Sequence, residues 1–265
     1  MGRIAIGVEY DGAGFHGWQQ QPHSTSVQET LQAALSRVAD APVELTCAGR
    51  TDTGVHARAQ VAHFDSEAVR SPRAWLLGVN SALPATISLR WAVPVAGSFH
   101  ARFGALRRSY RYLVLNRPTR SALAAGRALV VYRELDTVAM QAAANDLVGE
   151  HDFSAFRAGE CQARSPVRRI EALTVRRSGH WVSVEVTANA FLHHMVRNMV
   201  GTLLAVGQGD APPGRAREQL ESRQRSTGEA TAAAHGLYFW QVEYPRKFGL
   251  PDDSAIIGPF EAAWV

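Results

Sequence analysis

Residues 43–65 read "VELTCAGRTDTGVHARAQVAHFD", and this stretch decides how the N-terminal half folds. "VELTCAG" and "AQVAHFD" both alternate like strands, so they predict a strand pair joined by the polar run between them. A plain hairpin would need only two turn residues there. Instead Arg50, Asp52 and His56 stand around Thr51, Thr53 and Gly54. An Asp in "TDTG" is ordinarily a turn residue, favoured because its side chain bonds nearby backbone. A polar loop on a rigid hairpin is also a common place for a catalytic group. On this stretch alone both readings of Asp52 stand.

Working outward, "RIAIGVEYD" reads as a first strand, ending at the turn "DGAGFHG". "STSVQETLQAALSRVA" follows as an amphipathic helix with Val27, Leu31, Ala34, Leu35 and Val38 on its apolar stripe, and Ser26 with Glu29 forms a capping box. "SPRAWLLGVNSAL" predicts a second helix with Pro72 in its first turn, and "ISLRWAVPV" a further strand. The order is strand, helix, strand, strand, helix, strand. The second half repeats it: "RSYRYLVLN", a helix in "DTVAMQAAANDLVG" ended by Gly149, a hairpin of "RRIEALTVRR" and "HWVSVEVTA" across Ser178–Gly179, a long helix "FLHHMVRNMVGTLLAVG", and "GLYFWQVEY".

The expected fold class is therefore α/β (α+β), with two ferredoxin-like split β-α-β subdomains whose mainly antiparallel sheets flank a central basic cleft. The N-terminal subdomain, carrying the Asp52 loop, is expected over 1–104, the second over 105–245, and a C-terminal extension over 246–265. Segments 117–133, 152–167 and 208–235 read as loose insertions.

With 265 residues, 46% hydrophobic and 20% charged, the chain has an ordinary globular composition. No stretch approaches the roughly 20 apolar residues of a membrane span, and "MGRIAIGVEYDG" turns polar too soon for a signal peptide. A cytoplasmic protein with no membrane partner is expected. Cys47 and Cys161 form no C-x-x-C pair, and the ten histidines show no H-E-x-x-H, so two reduced thiols and no metal are expected.

The charge is only +4, but Lys247 is the sole lysine among 28 basic residues, so 27 are arginine. Nucleotide bias in a genome can produce that; arginine is also the better side chain for bidentate phosphate contacts and for stacking on bases. Clusters at Arg102/Arg107/Arg108/Arg111, at Arg157/Arg164/Arg168/Arg169 and at Arg215/Arg217/Arg223/Arg225 suit an extended polyanion, with solvated surface charge as the competing reading.

Two further residues stand out. The helix containing Arg197 is apolar nearly all round, which predicts burial. A buried guanidinium needs a partner, for which Asp52 is the candidate; equally, Arg197 could reach the surface or cap a carbonyl. Tyr110 and Tyr112 share one strand face, where aromatics are usually core, although Tyr110 among Arg107, Arg108 and Arg111 also fits a base-stacking platform. Motifs for nucleotide hydrolysis, hydride transfer, acyl transfer and zinc deamination are all missing. An enzyme built this way works with Asp, Tyr and Arg and needs no cofactor, nucleotide or otherwise.

"GRTDTGVHARAQVAHF" resembles the signature of the bacterial tRNA pseudouridine synthase A family. So, in the family's order, do "EYDGAGFHGWQQQP", "FHARFGA", "RRSYRYLVLNR", "HDFSAFR", "CQARSPVRRI", "FLHHMVRNMVGTLL" and "HGLYFWQVEYP", from about Val8 to Pro245. Ala233 departs from the pattern, where the family often has proline. The resemblance implies isomerisation of uridine to pseudouridine at positions 38, 39 and 40 of the tRNA anticodon stem-loop, by a homodimer and without cofactor. It implies that Asp52 is the catalytic aspartate, Tyr110 the active-site tyrosine and Arg197 the basic residue beside the aspartate. Arg50 matches a residue contacting RNA, as do the segments Phe99, His100, Ala101, Arg102, Phe103 and Cys161, Gln162, Ala163, Arg164, Ser165. From the residues alone, a non-catalytic RNA-binding module with the same arginine-rich cleft is the rival. A glycosidase-like enzyme is a weaker third reading, because it would usually need a second carboxylate.

Overall fold

The computed structural model describes residues 2–225 and 228–252. They form two compact units, one of residues 2–106 with 238–252, the other of residues 107–237.

In the first unit, β1 (Gly2–Tyr10), β3 (His56–Ser66) and β4 (Ile87–Val95) are antiparallel, with β1 in the middle. β2 (Thr46–Cys47) pairs with β3 through Thr46↔His63 and Cys47↔Ala62. The spatial order β4-β1-β3-β2, with α1 (Val27–Ala39) and α2 (Pro72–Ala82) between strands, is the expected split β-α-β arrangement. α1 starts where Ser26 Oγ accepts the Glu29 N–H at 3.2 Å, and α2 where Ser71 Oγ accepts that of Ala74 at 3.1 Å, with Pro72 in its first turn. Val27, Leu31, Ala34 and Leu35 are buried on α1, while Val38 is half-buried and meets α2 at Gly78. Trp75 of α2 packs edge-on against Phe64 of β3 at 5.1 Å. Burying aromatic and aliphatic side chains of this size stabilises by about 1.5–3 kcal/mol each.

The second unit holds β5 (Arg107–Asn116), β6 (Leu129–Val131), α3 (Thr137–Asn145), β7 (Gly149–Asp152), β8 (Val167–Ser178), β9 (Trp181–Ala188), α4 (Met195–Gly207) and α5 (Arg215–Ser222). Its sheet runs β5-β9-β8-β7, all antiparallel, with β6 parallel to β5. Eleven of the 13 residues of α4 are buried, as its all-round apolar surface requires. α3 lies so close to α4 that a Cβ on Gly207 would be 2.6 Å from the Met140 sulfur.

Several boundaries differ from the reading of the sequence. β10 (Leu237–Glu243), expected to close the second subdomain, groups from Tyr238 on with the first unit, where Tyr238↔His56 and Phe239↔Ala57 pair parallel to β3. α4 begins at Met195 rather than Phe191, because His194 takes a left-handed φ of 61° that no helix interior tolerates. Gly149 does not end α3, which stops at Asn145; with φ 115° it opens β7 instead. The β8–β9 turn is Gly179–His180, since Ser178 pairs directly with Trp181. Nor are the insertions loose: 117–133 holds β6, 152–167 buries Phe153 and Phe156, and 208–235 holds α5. Of the expected extension, 246–252 is described, with a short turn at Arg246–Phe248, and 253–265 lies outside the described residues. Among the described residues no helix is long and apolar enough to cross a membrane.

Candidate active site

The Asp52 loop in the first unit is fixed from both sides. On the β3 side, the buried Gln60 donates Nε2 to Gly49 O at 2.6 Å, and Ala48 N–H bonds Val61 O at 2.8 Å. The other side is the loop 11–18. Tyr10 Oη lies 2.8 Å from Thr51 Oγ1, both residues buried, and Trp18 N–H donates to Thr51 O at 3.0 Å. Gly54 N–H donates to Phe15 O at 3.3 Å, and Gly12 N–H to His56 Nδ1 at 3.0 Å.

Two glycines allow this approach. A Cβ on Gly12 would meet Val55 O at 2.0 Å, and Gly17, with φ 86°, stands where a Cβ would be 2.7 Å from Thr51 O. Directly after Asp52 the chain turns, Val55 N–H bonding Asp52 O at 3.1 Å with Gly54 at φ 77°. The result is a half-buried Asp52 on backbone that cannot drift, with Arg50 and Thr53 exposed beside it. His56 is buried and stacks on Tyr238 at 4.7 Å, so in this unit it serves the scaffold. A rigid loop that presents a carboxylate suits attack or proton abstraction, because little ordering remains for the reaction to supply.

In the second unit Tyr110 and Tyr112 do lie on one face of β5, and they differ. Tyr112 is core: its hydroxyl donates to Ala233 O at 2.8 Å, and burial pushes its phenol well above the ordinary value, opposed by the nearby Arg197 charge. Tyr110 is nearly covered and meets Phe191 edge-on at 4.9 Å.

Arg197 is half-buried on α4 and donates Nε to Ala232 O at 2.8 Å, while Ala232 N–H returns a bond to Arg197 O at 3.1 Å. Residues 230–233 thus hold both Arg197 and Tyr112, and they lie against α4 where a Cβ on Gly201 would be 2.0 Å from Ala230 O. Ala233 has φ −58° and ψ 148°, so alanine here adopts the backbone that a proline would impose.

A residue that sequence reasoning passed over ties this region together. Asn198 is buried; its Nδ2 donates to Phe156 O at 2.8 Å, and its Oδ1 accepts from Thr231 Oγ1 at 2.7 Å and Arg225 Nη2 at 3.0 Å. An Asn on a mostly apolar helix, where burial is expected, is the signal that could have found it, since buried amides are retained only with partners.

The two segments expected to touch RNA are each part scaffold. Phe99 and Ala101 are fully buried, which differs from their expected role as contacts; His100 is half-buried, and Arg102 and Phe103 are exposed. In the second segment Cys161 and Ala163 are half-buried, and Gln162, Arg164 and Ser165 are exposed. Cys161 Sγ accepts the His193 N–H at 3.4 Å, and its carbonyl accepts from Arg157. Burial alone would raise the thiol pKa, but the His193 and Ala163 N–H groups and Arg157 outweigh it, and the pKa is lowered. Cys47 is the opposite case, pushed up to about 12 by burial.

Many arginines of the three clusters are engaged within the second unit. Arg107 pairs with Glu171 at 2.8 Å, Arg111 with Glu185 at 2.7 Å, Arg215 with Glu229 at 3.0 Å and Arg217 with Asp146 at 2.5 Å. Arg50, Arg102, Arg164 and Arg169 remain exposed.

Comparison with known proteins identifies the family. A family profile described as tRNA pseudouridine synthase matches residues 6–104 and 143–245. The tRNA pseudouridine synthase A of Methylococcus capsulatus is 54% identical over 252 residues, covering 95% of this chain and 93% of the relative. That of Burkholderia ambifaria is 48% identical over 262 residues, covering 99% and 97%. That of Hydrogenovibrio crunogenus is 51% identical over 251 residues, covering 95% and 96%. Fold and matches together define a pseudouridine synthase, an RNA-modifying isomerase. Within that class the chain belongs to the tRNA pseudouridine synthase A family.

Proposed function

We propose that this enzyme isomerises uridine at positions 38, 39 and 40 of the tRNA anticodon stem-loop, with Asp52 as its catalytic carboxylate. The observation that carries the reading is the Asp52 loop itself: a half-buried carboxylate on backbone anchored at Gly49, Thr51 and Gly54. The reaction breaks the N1–C1′ bond, turns the uracil and joins C5 to C1′, while the C5 proton is lost and N1 regains one. Atoms and electrons balance within the substrate, so the isomerisation needs no redox partner or nucleotide energy source. Asp52 attacks as a nucleophile or acts as the base, and either role requires its ionised form.

Tyr110 stacks on the target uracil and keeps water from it, and Arg197 is the basic residue that serves the reaction. Arg50, exposed two residues from Asp52, contacts the strand that the target base leaves. The exposed Arg102, Phe103, Gln162, Arg164 and Ser165 are the RNA-facing members of their segments, with half-buried His100, Cys161 and Ala163 at their edge. The working form is a cytoplasmic homodimer.

The test uses transcripts carrying a single C5-tritiated uridine at position 38, 39 or 40. Release of tritium from each is the expected result. Release only from uridines outside the anticodon arm would overturn the site assignment, and a single species at monomer mass in sedimentation would overturn the dimer.

A further inference from the structure

One segment of the first unit is held more tightly than its irregular backbone would suggest. Residues 97–103 lie in neither helix nor strand, yet three side chains far apart in the chain bond their main chain. Arg3 Nη1 donates to Gly97 O at 2.8 Å and to Phe99 O at 2.7 Å, while its Nε and Nη2 grip both oxygens of Asp65 at 2.8 and 2.6 Å. His63 Nδ1 accepts the Ala101 N–H at 3.2 Å, and Tyr244 Oη donates to Ala101 O at 2.6 Å. Burial holds the His63 imidazole down to about 4, so near neutral pH it is uncharged and able to accept. Phe99 is buried between Tyr244, at 5.1 Å, and Phe248, at 5.2 Å.

Beyond this clamp the chain turns outward. His100 Nδ1 accepts the N–H groups of Arg102 at 3.2 Å and Phe103 at 3.1 Å, and His100 O accepts that of Gly104 at 2.8 Å. Phe103 is 76% exposed, its ring 4.4 Å from that of His100, with the Arg102 guanidinium 5.5 Å from its centre. A phenylalanine held out in water contributes little to stability, and an aromatic ring beside a guanidinium is what an unpaired base stacks on.

We propose that Phe103 with Arg102 is a stacking platform for an unpaired nucleotide of the RNA substrate, and that Arg3, His63 and Tyr244 are positioning residues that fix it through the backbone of 97–101. This rests on the tRNA reading above and specifies how one RNA-facing segment engages the substrate.

The experiment measures KM and kcat on an unmodified tRNA transcript for the native enzyme, Phe103→Ala, Phe103→Trp, Tyr244→Phe and the double variant Phe103→Ala/Tyr244→Phe. Phe103→Ala is expected to raise KM about tenfold with kcat within about twofold, as loss of one stacked base predicts. Phe103→Trp restores native KM. Tyr244→Phe, which keeps the ring packed on Phe99, raises KM about threefold in the native background and leaves it unchanged in the Phe103→Ala background. Native KM in Phe103→Ala overturns the platform. A Tyr244→Phe effect of equal size in both backgrounds overturns the positioning role. An enzyme that releases no tritium from positions 38–40 fails the earlier reading instead, and binding of the stem-loop to native and Phe103→Ala protein then still decides the platform.

Discussion

The phenol of Tyr10 and the hydroxyl of Thr51 meet at 2.8 Å with neither exposed to solvent, which joins the end of β1 to the residue before Asp52. Burial pushes the Tyr10 phenol far above its ordinary value, so it stays protonated at any working pH. The pair therefore behaves as a fixed strut under the catalytic loop.

Tyr10→Phe removes the strut while keeping the ring, and leaves the Thr51 hydroxyl buried without that partner. The expected cost is about 1–3 kcal/mol in urea denaturation. Because the loop also loosens, kcat on tRNA should fall by more than KM changes. A variant with native stability and native kcat would show that the contact is idle.

Gly17 carries the same logic at the backbone of the same residue, Thr51. Alanine there must adopt φ 86° and would bring its Cβ to 2.7 Å from Thr51 O. Gly17→Ala should lose about 1–3 kcal/mol, visible as a lower thermal midpoint, with activity reduced even at temperatures where the variant stays folded.

In the second unit, Asn198→Leu deletes bonds to Phe156 O, Thr231 and Arg225 at once. A loss of about 2–4 kcal/mol is expected, since the partners are left unmatched in low dielectric. The same change frees the 230–233 segment that accepts the Arg197 Nε bond, so kcat should fall as well. Urea denaturation and tritium release on the same preparation check both.

The two cysteines should separate in a thiol titration with Ellman's reagent at pH 8. Cys161, half-buried with its pKa lowered by backbone N–H groups and Arg157, reacts within the native fold. Cys47, pushed up to about 12, reacts only after denaturant is added. Two equally fast thiols would contradict this assignment.

Periodicity made most of the elements legible. β4 occupies the residues that alternate in "ISLRWAVPV", and α1 begins beside the Ser26 cap, because both signals are local. Pairing is not local, and there the sequence was mute. That Arg111 faces Glu185 follows from the β5–β9 register, so a cluster read as free for a polyanion is partly spent on cross-strand ion pairs. β10 likewise looked like a closing strand of the second half, although Tyr238 and Phe239 pair with β3. At the site, the Asp52 loop was visible as excess polarity in a hairpin. Its support from Tyr10, Gly12 and Gly17 was not, because a close backbone approach is a property of the fold. Phe99 and Ala101 were expected as contacts; inside the unit they are the anchored end of a segment whose outer residues, Arg102 and Phe103, face solvent.

The central claim concerns Asp52, and tritium release from C5-labelled uridine in unmodified tRNA tests it most directly. Asp52→Asn removes the ionisable carboxylate and changes the side chain's volume very little. The account predicts that release falls by roughly a thousandfold or more while tRNA is still bound within about threefold of native affinity. Release at the native rate by Asp52→Asn would contradict it.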